Sequence, residues 1–227
     1  MYKEKTEIKK FFNKILTPYE RLIESNLMSH YDLYGHLGKI LSKIDKSFSL
    51  LDLGCNNSYF ISKFLKNTLI EKYTGVDIAG DTFLSAKENM SNIGCIKEFI
   101  EEDMQNFIKY NHNKFDIILL GFVFHHLNNK EKEHFIIEAS KNLNDGGRII
   151  IIDILKAEKE QDDHFTSNLI RHLTPIIQTF NEDDYHNICH HIKNYDIPGY
   201  KSLYENIAHK SYLHYSSLYT VDFYNLT

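Results

Sequence analysis

The chain has 227 residues, 42% hydrophobic and 25% charged, with a formal net charge of −5. That length suits one α/β domain with a sizeable core and some decoration. The acidic balance argues against a broad nucleic-acid surface, and no run approaches the roughly 20 apolar residues that span a bilayer. Cys55, Cys95 and Cys189 are too few and too scattered for a disulfide framework, so free thiols in a reducing cytoplasmic compartment are expected. The charged stretch Met1–Glu20 shows no signal-peptide pattern.

In chain order, Ile8, Phe11, Phe12, Ile15 and Leu16 form one helical face. Thr17-Pro18-Tyr19-Glu20 reads as a second helix start, with Thr17 as cap and Pro18 in the first turn. A third helix is expected from about Tyr31 to Ile44. Strand and helix then alternate, the signature of a parallel sheet with crossover helices. The strands are Leu50–Leu53, Tyr73–Ile78, Cys95–Ile100, Phe115–Leu120 and Arg148–Ile152, the last entered through a turn at Gly146-Gly147. Asp81 is expected to cap the helix after the second strand. Further helices are expected near 106–110, 130–143, 162–178, 182–193 and 200–209, and Ser211–Leu218 and Tyr219–Leu226 alternate as two adjacent strands. One domain is expected: a helical cap over 1–46, a core over 47–153, and a helical insertion with the final strand pair over 154–227.

The stretch Leu50-Leu51-Asp52-Leu53-Gly54-Cys55-Asn56-Asn57-Ser58 organises the rest. An apolar run ends in an acid and a glycine, and helical spacing resumes at Tyr59, Phe60, Phe64 and Leu65, giving strand, tight turn and helix. It resembles the first motif of class I S-adenosylmethionine (SAM) dependent methyltransferases, in which an acid is followed by glycines at alternate positions. Asp52 and Gly54 match, while Asn56 and Ser58 stand where glycines are more usual. The resemblance implies a doubly wound, Rossmann-like, seven-stranded α/β sheet: five parallel strands and a C-terminal strand pair, with extra N-terminal helices and a helical insertion after strand five.

The other strand ends extend the resemblance over roughly residues 48–153. Asp77, followed by Ile78, ends the second strand, where a carboxylate accepts hydrogen bonds from a ribose. Asp103 and Met104 follow the third, matching an acid for the adenine amino group and an apolar side chain for its ring. The fourth strand leads through Gly121-Phe122 to His125-His126-Leu127, as in methyltransferases that act on small molecules. The implied cofactor-binding set is Asp52, Gly54, Asn56, Asp77, Ile78, Asp103, Met104, Gly121 and Phe122, with S-adenosylhomocysteine (SAH) as product. A nicotinamide dehydrogenase shares the architecture, but its pyrophosphate needs glycines where this turn has Asn56 and Tyr59.

Methyl transfer from a sulfonium leaves a neutral group, so alignment and desolvation carry most of the chemistry, and a base is needed only if the acceptor must lose a proton. His125 and His126 are the acid–base candidates, since histidine titrates near neutral pH. Tyr19, Arg21 and Tyr34, with His126, are the substrate-binding candidates; His30, Tyr31 and His36 lie beside them in sequence. Asp153, Arg171 and His172 are further pocket candidates. His186 and Cys189 share a helical face, but no second pair accompanies them, and no metal is expected.

The function expected is methyl transfer to a small molecule, with no nucleic acid or membrane partner and an unassigned oligomeric state. Two other classes fit the same motifs: SAM chemistry of another kind, such as cyclisation or aminocarboxypropyl transfer, and a non-catalytic SAM-binding protein.

Overall fold

The computed structural model describes residues 2–14, 16–200, 202–203, 211–216 and 221–226, with side chains over 6–12, 18–200 and 202–203. Five strands, β1 (Phe48–Leu53), β2 (Ile70–Asp77), β3 (Ile96–Glu101), β4 (Phe115–Gly121) and β5 (Leu143–Lys156), run parallel in the order β3-β2-β1-β4-β5. The winding reverses between β1 and β4, so the carboxyl ends of these two strands open a crevice, the position where such sheets bind ligands.

β1 and β4 read as unbroken apolar runs because both of their faces are covered. Leu50, Ile117, Leu119, Ile150 and Ile152 point to one side of the sheet. They meet α3 (His30–Leu41), α4 (Tyr59–Leu65), α8 (Asp162–Ile177) and α9 (Glu182–Tyr195). Leu51, Leu53, Ile118, Leu120 and Ile151 point to the other side, against α6 (Met104–Tyr110) and α7 (Asn129–Ser140). This is the strict alternation of a pleated strand. Two further helices, α1 (Tyr2–Lys14) and α2 (Leu16–Glu24), lie over the crevice, and a short α5 (Phe83–Asn89) links β2 to β3.

Beyond β5 the backbone of β8 (Val221–Leu226) runs antiparallel to it and pairs in turn with β7 (Ser211–Ser216). A two-residue strand, β6 (Gly199–Tyr200), pairs parallel with the end of β5. Tyr200 is thus extended where a helix over 200–209 was expected to begin, while Ser202 and Leu203 are helical; residues 201 and 204–210 of that expectation, and 217–220 of the strand pair, lie outside the described residues.

Local expectations fail at three element boundaries. The second helix begins at Leu16, so Thr17 lies within it and is not its cap. Gly80–Thr82 form a 3-10 turn, so α5 starts at Phe83 with no side-chain cap from Asp81 or any other residue. β5 runs unbroken from Leu143, because Gly146, at φ +73°, is taken up inside the strand where the β4–β5 register shifts. The three extra residues taken up at this irregularity need the same glycine chemistry as a turn, and sequence does not separate the two.

Candidate active site

A cavity of about 180 Å³ fills the crevice between the carboxyl ends of β1, β2 and β4 and the N-terminal helices. Its floor is the turn after β1, where Gly54 (φ +73°), Asn56 (+44°) and Ser58 (+54°) are all left-handed. An L-residue is strained in that region, and asparagine tolerates it best after glycine. A Cβ on Gly54 would sit 2.6 Å from Val123, so only glycine fits there. Asn56 and Ser58 adopt the left-handed backbone that favours glycine without being glycines. Their side chains hold the turn: Asn56 Oδ1 accepts from Asn57 N at 2.6 Å, and the Ser58 hydroxyl pairs with that of Tyr73 at 2.9 Å.

Asp77 closes the same turn. One carboxylate oxygen accepts from Asn56 N and the other from Ala79 N, each at 2.8 Å, and with the Ile78 backbone as a third donor the carboxylate still has acceptor capacity left. Burial pushes its carboxyl upward, and the backbone donors only partly offset that. Asp52 lies deeper, 4% exposed, and accepts from the Tyr73 hydroxyl at 2.7 Å. Burial drives its pKa up to about 7, against the pull of that hydrogen bond.

A carboxyl whose folded pKa is raised keeps its proton in the folded state while the unfolded chain, titrating near ~4, has lost it. Stability contributed by Asp52 is therefore lost as pH rises from about 4 to about 7. We expect Asp52→Asn to raise the melting temperature by several degrees at pH 8 and to leave it unchanged at pH 4. Equal shifts at both values would mean that the charge of Asp52 carries no such cost.

The β4 end supplies the opposite wall. A Cβ on Gly121 would collide with the Tyr34 hydroxyl, so the glycine lets α3 approach. Phe122 is itself left-handed (φ +54°); its N–H donates to Ile152 O at 2.7 Å, and its ring stacks on His30 at 4.0 Å. Burial takes His30 down to a pKa of about 3, so it is a neutral, largely apolar surface. Asp103 and Met104 lie at the cavity edge; Asp103 also caps α6, accepting from Gln105 N and Asn106 N at 3.1 Å. All nine residues expected to bind the cofactor line this one cavity.

The acceptor-side expectations divide. Tyr19, Tyr34 and His126 line the cavity, with Phe12 and Ile8 of α1 beside them. Arg21 does not: its guanidinium donates to Thr179 at 3.1 Å and stands over the Phe180 ring. Tyr19 and Arg21 are two apart on α2, and residues so spaced do not share a helical face. Arg171 is bound to Asn168, His172 faces Leu27 O at 2.7 Å, and neither lines the cavity. His186 is exposed and ion-paired with Glu182, and Cys189 is buried.

His125 is also outside the cavity wall. Asp153 receives both its backbone N–H (2.7 Å) and its Nδ1 (2.5 Å), which fixes the ring behind the site. Asp196 stands 3.7 Å from His125 Nε2 and 3.7 Å from His126 Nδ1. Burial favours neutral His125, but Asp153 and Asp196 outweigh it and hold its pKa above the usual value. The same histidine, with His191 and His126, overcomes burial at Asp196 and keeps that carboxyl well below the carboxylate range. His126, with no such net gain, is pulled well below the usual histidine value by burial and stays neutral.

Several site residues escaped the sequence reading. Tyr73 and Ser58 brace Asp52, and Asn57 Nδ2 donates to Glu20 Oε1 at 2.8 Å, tying α2 to the turn. Asn57 and Ser58 carried a signal, as polar residues inside the motif; Tyr73 and Glu20 carried none.

The family model described as a methyltransferase domain matches residues 51–151, from β1 into β5. An uncharacterized methyltransferase of Bacillus cereus is 24% identical over 208 residues, covering 88% of this chain and 89% of its own length. Magnesium protoporphyrin IX methyltransferase from Synechocystis PCC 6803, solved with bound SAH, superposes with a TM-score of 0.67 at 12% identity, covering 97% of this chain and 98% of its own. The plantazolicin methyltransferase BamL, solved with a triazolic desmethylPZN analog and SAH, gives 0.60 at 16% identity, covering 96% and 79%. Residues 51–151, which build the cavity at the β1–β4 switch point, match a methyltransferase domain, and the chain shares the fold of these SAH-bound methyltransferases.

Proposed function

We propose that the chain methylates an uncharged or cationic small molecule that enters beneath α1 and α2. One observation supports the reading above the others. Glu20, Asp52, Asp77, Glu102, Asp103 and Glu131 line the cavity, and no lysine or arginine does so among the described residues. A wall of one sign favours a ligand of the other. SAM carries an ammonium and a sulfonium against one carboxylate, whereas the pyrophosphate of a dinucleotide would be repelled. The same wall disfavours an anionic acceptor.

When bound, SAM supplies an electrophilic methyl group on a leaving sulfur that becomes neutral. The chain's own residues have separate tasks. Asp77 accepts from the ribose hydroxyls through the lone pairs its backbone donors leave open. Asp52 faces the ammonium end, and the alternate left-handed residues keep backbone close to it. Asp103 and Met104 take the adenine edge and ring, with Ile78 beside them. Gly121 and Phe122 form the wall between cofactor and acceptor, and Phe12, Tyr19 and Tyr34 exclude water from the transfer path. His126, neutral at physiological pH, presents a lone pair to an acceptor that must lose a proton, and His125 positions it. Residues 1–46 act as a cap, 154–195 complete the acceptor side, and the terminal strands close the sheet within one domain in the cytoplasm.

His126→Ala tests the acceptor end. It is expected to lower kcat by roughly 100-fold, the scale of one lost acid–base contact, with unchanged SAM affinity by calorimetry. An equal fall in SAM affinity would move His126 from the acceptor to the cofactor.

A further inference from the structure

Behind the acceptor wall, side chains from two distant parts of the chain converge in a way that no role above requires. His125 Nε2, His126 Nδ1 and an Asp196 carboxylate oxygen lie within 4.8 Å of one another. His191 Nε2 approaches that oxygen as well, at 3.3 Å, from α9. All four side chains are about nine-tenths buried. Yet His126 Nδ1 and Asp196 Oδ1 make no hydrogen bond, although both are fully enclosed. Buried polar atoms are nearly always paired, and each exception calls for an explanation.

We propose that His125, His126 and Asp196 form a binding site for one divalent metal ion of the zinc class, with His191 steadying the shared carboxylate. The spacing is that of ligands around an ion. Two atoms held tetrahedrally at roughly 2.0–2.1 Å from zinc lie about 3.3 Å apart, and the two ligand nitrogens each stand 3.7 Å from Asp196 Oδ1, within a small adjustment of that spacing. The 3.7 Å gaps of His125 and His126 are too long for good hydrogen bonds and too short to admit a water between the groups. The donor set of imidazoles and one carboxylate is the one zinc prefers outside thiolate sites.

The surroundings support the same reading. His125 gives Nδ1 to Asp153, which leaves Nε2 as the free donor, the carboxylate–histidine arrangement that orients metal ligands. Asp153 is itself fixed by two backbone N–H groups, those of His125 and Ile154, both at 2.7 Å. Ile197 N donates to His125 O at 2.8 Å, and Lys132 Nζ to Ile197 O at 2.5 Å, so the segment bearing Asp196 is pinned to the histidine pair. Three protein ligands leave a fourth position open, as in zinc sites that act on a substrate. His126 is the ligand that also lines the cavity. An ion there would serve the acceptor by lowering the pKa of a coordinated hydroxyl or amine, in place of proton uptake by His126 itself. That role rests on the proposed methyl transfer; the metal site does not.

The test is titration of chelator-stripped full-length protein with Zn²⁺ alone, and separately with Co²⁺ alone, in the absence of SAM or any acceptor. One equivalent should bind, with a rise in melting temperature and, for Co²⁺, the visible absorption of a four-coordinate ion. Asp196→Asn and His126→Gln should each lower Zn²⁺ affinity at least tenfold, and Asp153→Asn about 10–100-fold, the usual cost of a lost supporting carboxylate. His186→Ala, on the exposed face of α9, should change nothing. Absence of stoichiometric binding by the folded wild-type chain would overturn the proposal whatever the variants do. So would binding that survives in folded His126→Gln and is lost in His186→Ala. Metal binding with no methyl transfer would leave this site standing and count only against the proposed reaction.

Discussion

Asp77→Ala is expected to weaken binding of S-adenosylmethionine by about 100-fold or more, the largest effect on affinity of any single change in the cavity. Hydrogen bonds to a charged group are each worth about 1.5–3 kcal/mol, and the ribose would lose two. The loss has a second source. Asp77 also accepts from Asn56 N, and Asn56 is held left-handed in the floor of the site. Removing the carboxylate frees that turn as well as the ribose. Asp77→Asn separates the two effects, because its amide oxygen can keep one backbone donor while the charge is gone. An intermediate loss of affinity is expected from it by calorimetry. Wild-type affinity in a folded Asp77→Ala chain would remove Asp77 from the cofactor site.

Lys132→Ala is expected to destabilise the fold by about 3–5 kcal/mol, the range for stripping one partner from a buried charged group. Lys132 is wholly buried, an unusual state for a lysine. Burial lowers its pKa to about 8, with the Asp153 carboxylate opposing that fall. It therefore stays mostly charged at neutral pH and compensates Asp153, with Asp162 and Glu131 contributing. Its ammonium also binds Ile197 O, next to Asp196. Lys132→Met keeps most of the packing and removes the charge, and chemical denaturation of both variants divides the loss between the two causes. If both variants retained wild-type stability, the Lys132 charge would play no part in holding the buried carboxylates.

Much of this architecture can be read from the chain because local and tertiary demands agree there. β1 and β4 are covered on both faces, so their apolar runs have no other reading, and the turn after β1 shows its acid and glycine directly. The parts that escaped are those decided by contacts between distant segments. Asn56 and Ser58 look like departures from a glycine motif, yet both take the left-handed angles that glycine favours; sequence displays the substitution and not the φ value. Arg21 looks like a carboxylate clamp beside Tyr19, but helical phase sends the two residues to different neighbours. His125 and His126 are visible as a pair, and one turns out to face the cavity while the other is locked to Asp153. Asp196 carries no local signal. Its part depends on a segment after α9 being drawn under the histidines by Lys132 and Ile197, a purely tertiary event.

The most direct test of the central claim is calorimetric titration of purified, ligand-stripped protein with SAM and with SAH. Both should bind at one site per chain with micromolar or better affinity, and Asp77→Ala should weaken both, because the ribose is common to them. A folded protein that binds neither would contradict the account, since an acidic cavity at the β1–β4 crevice would then serve some other cationic ligand.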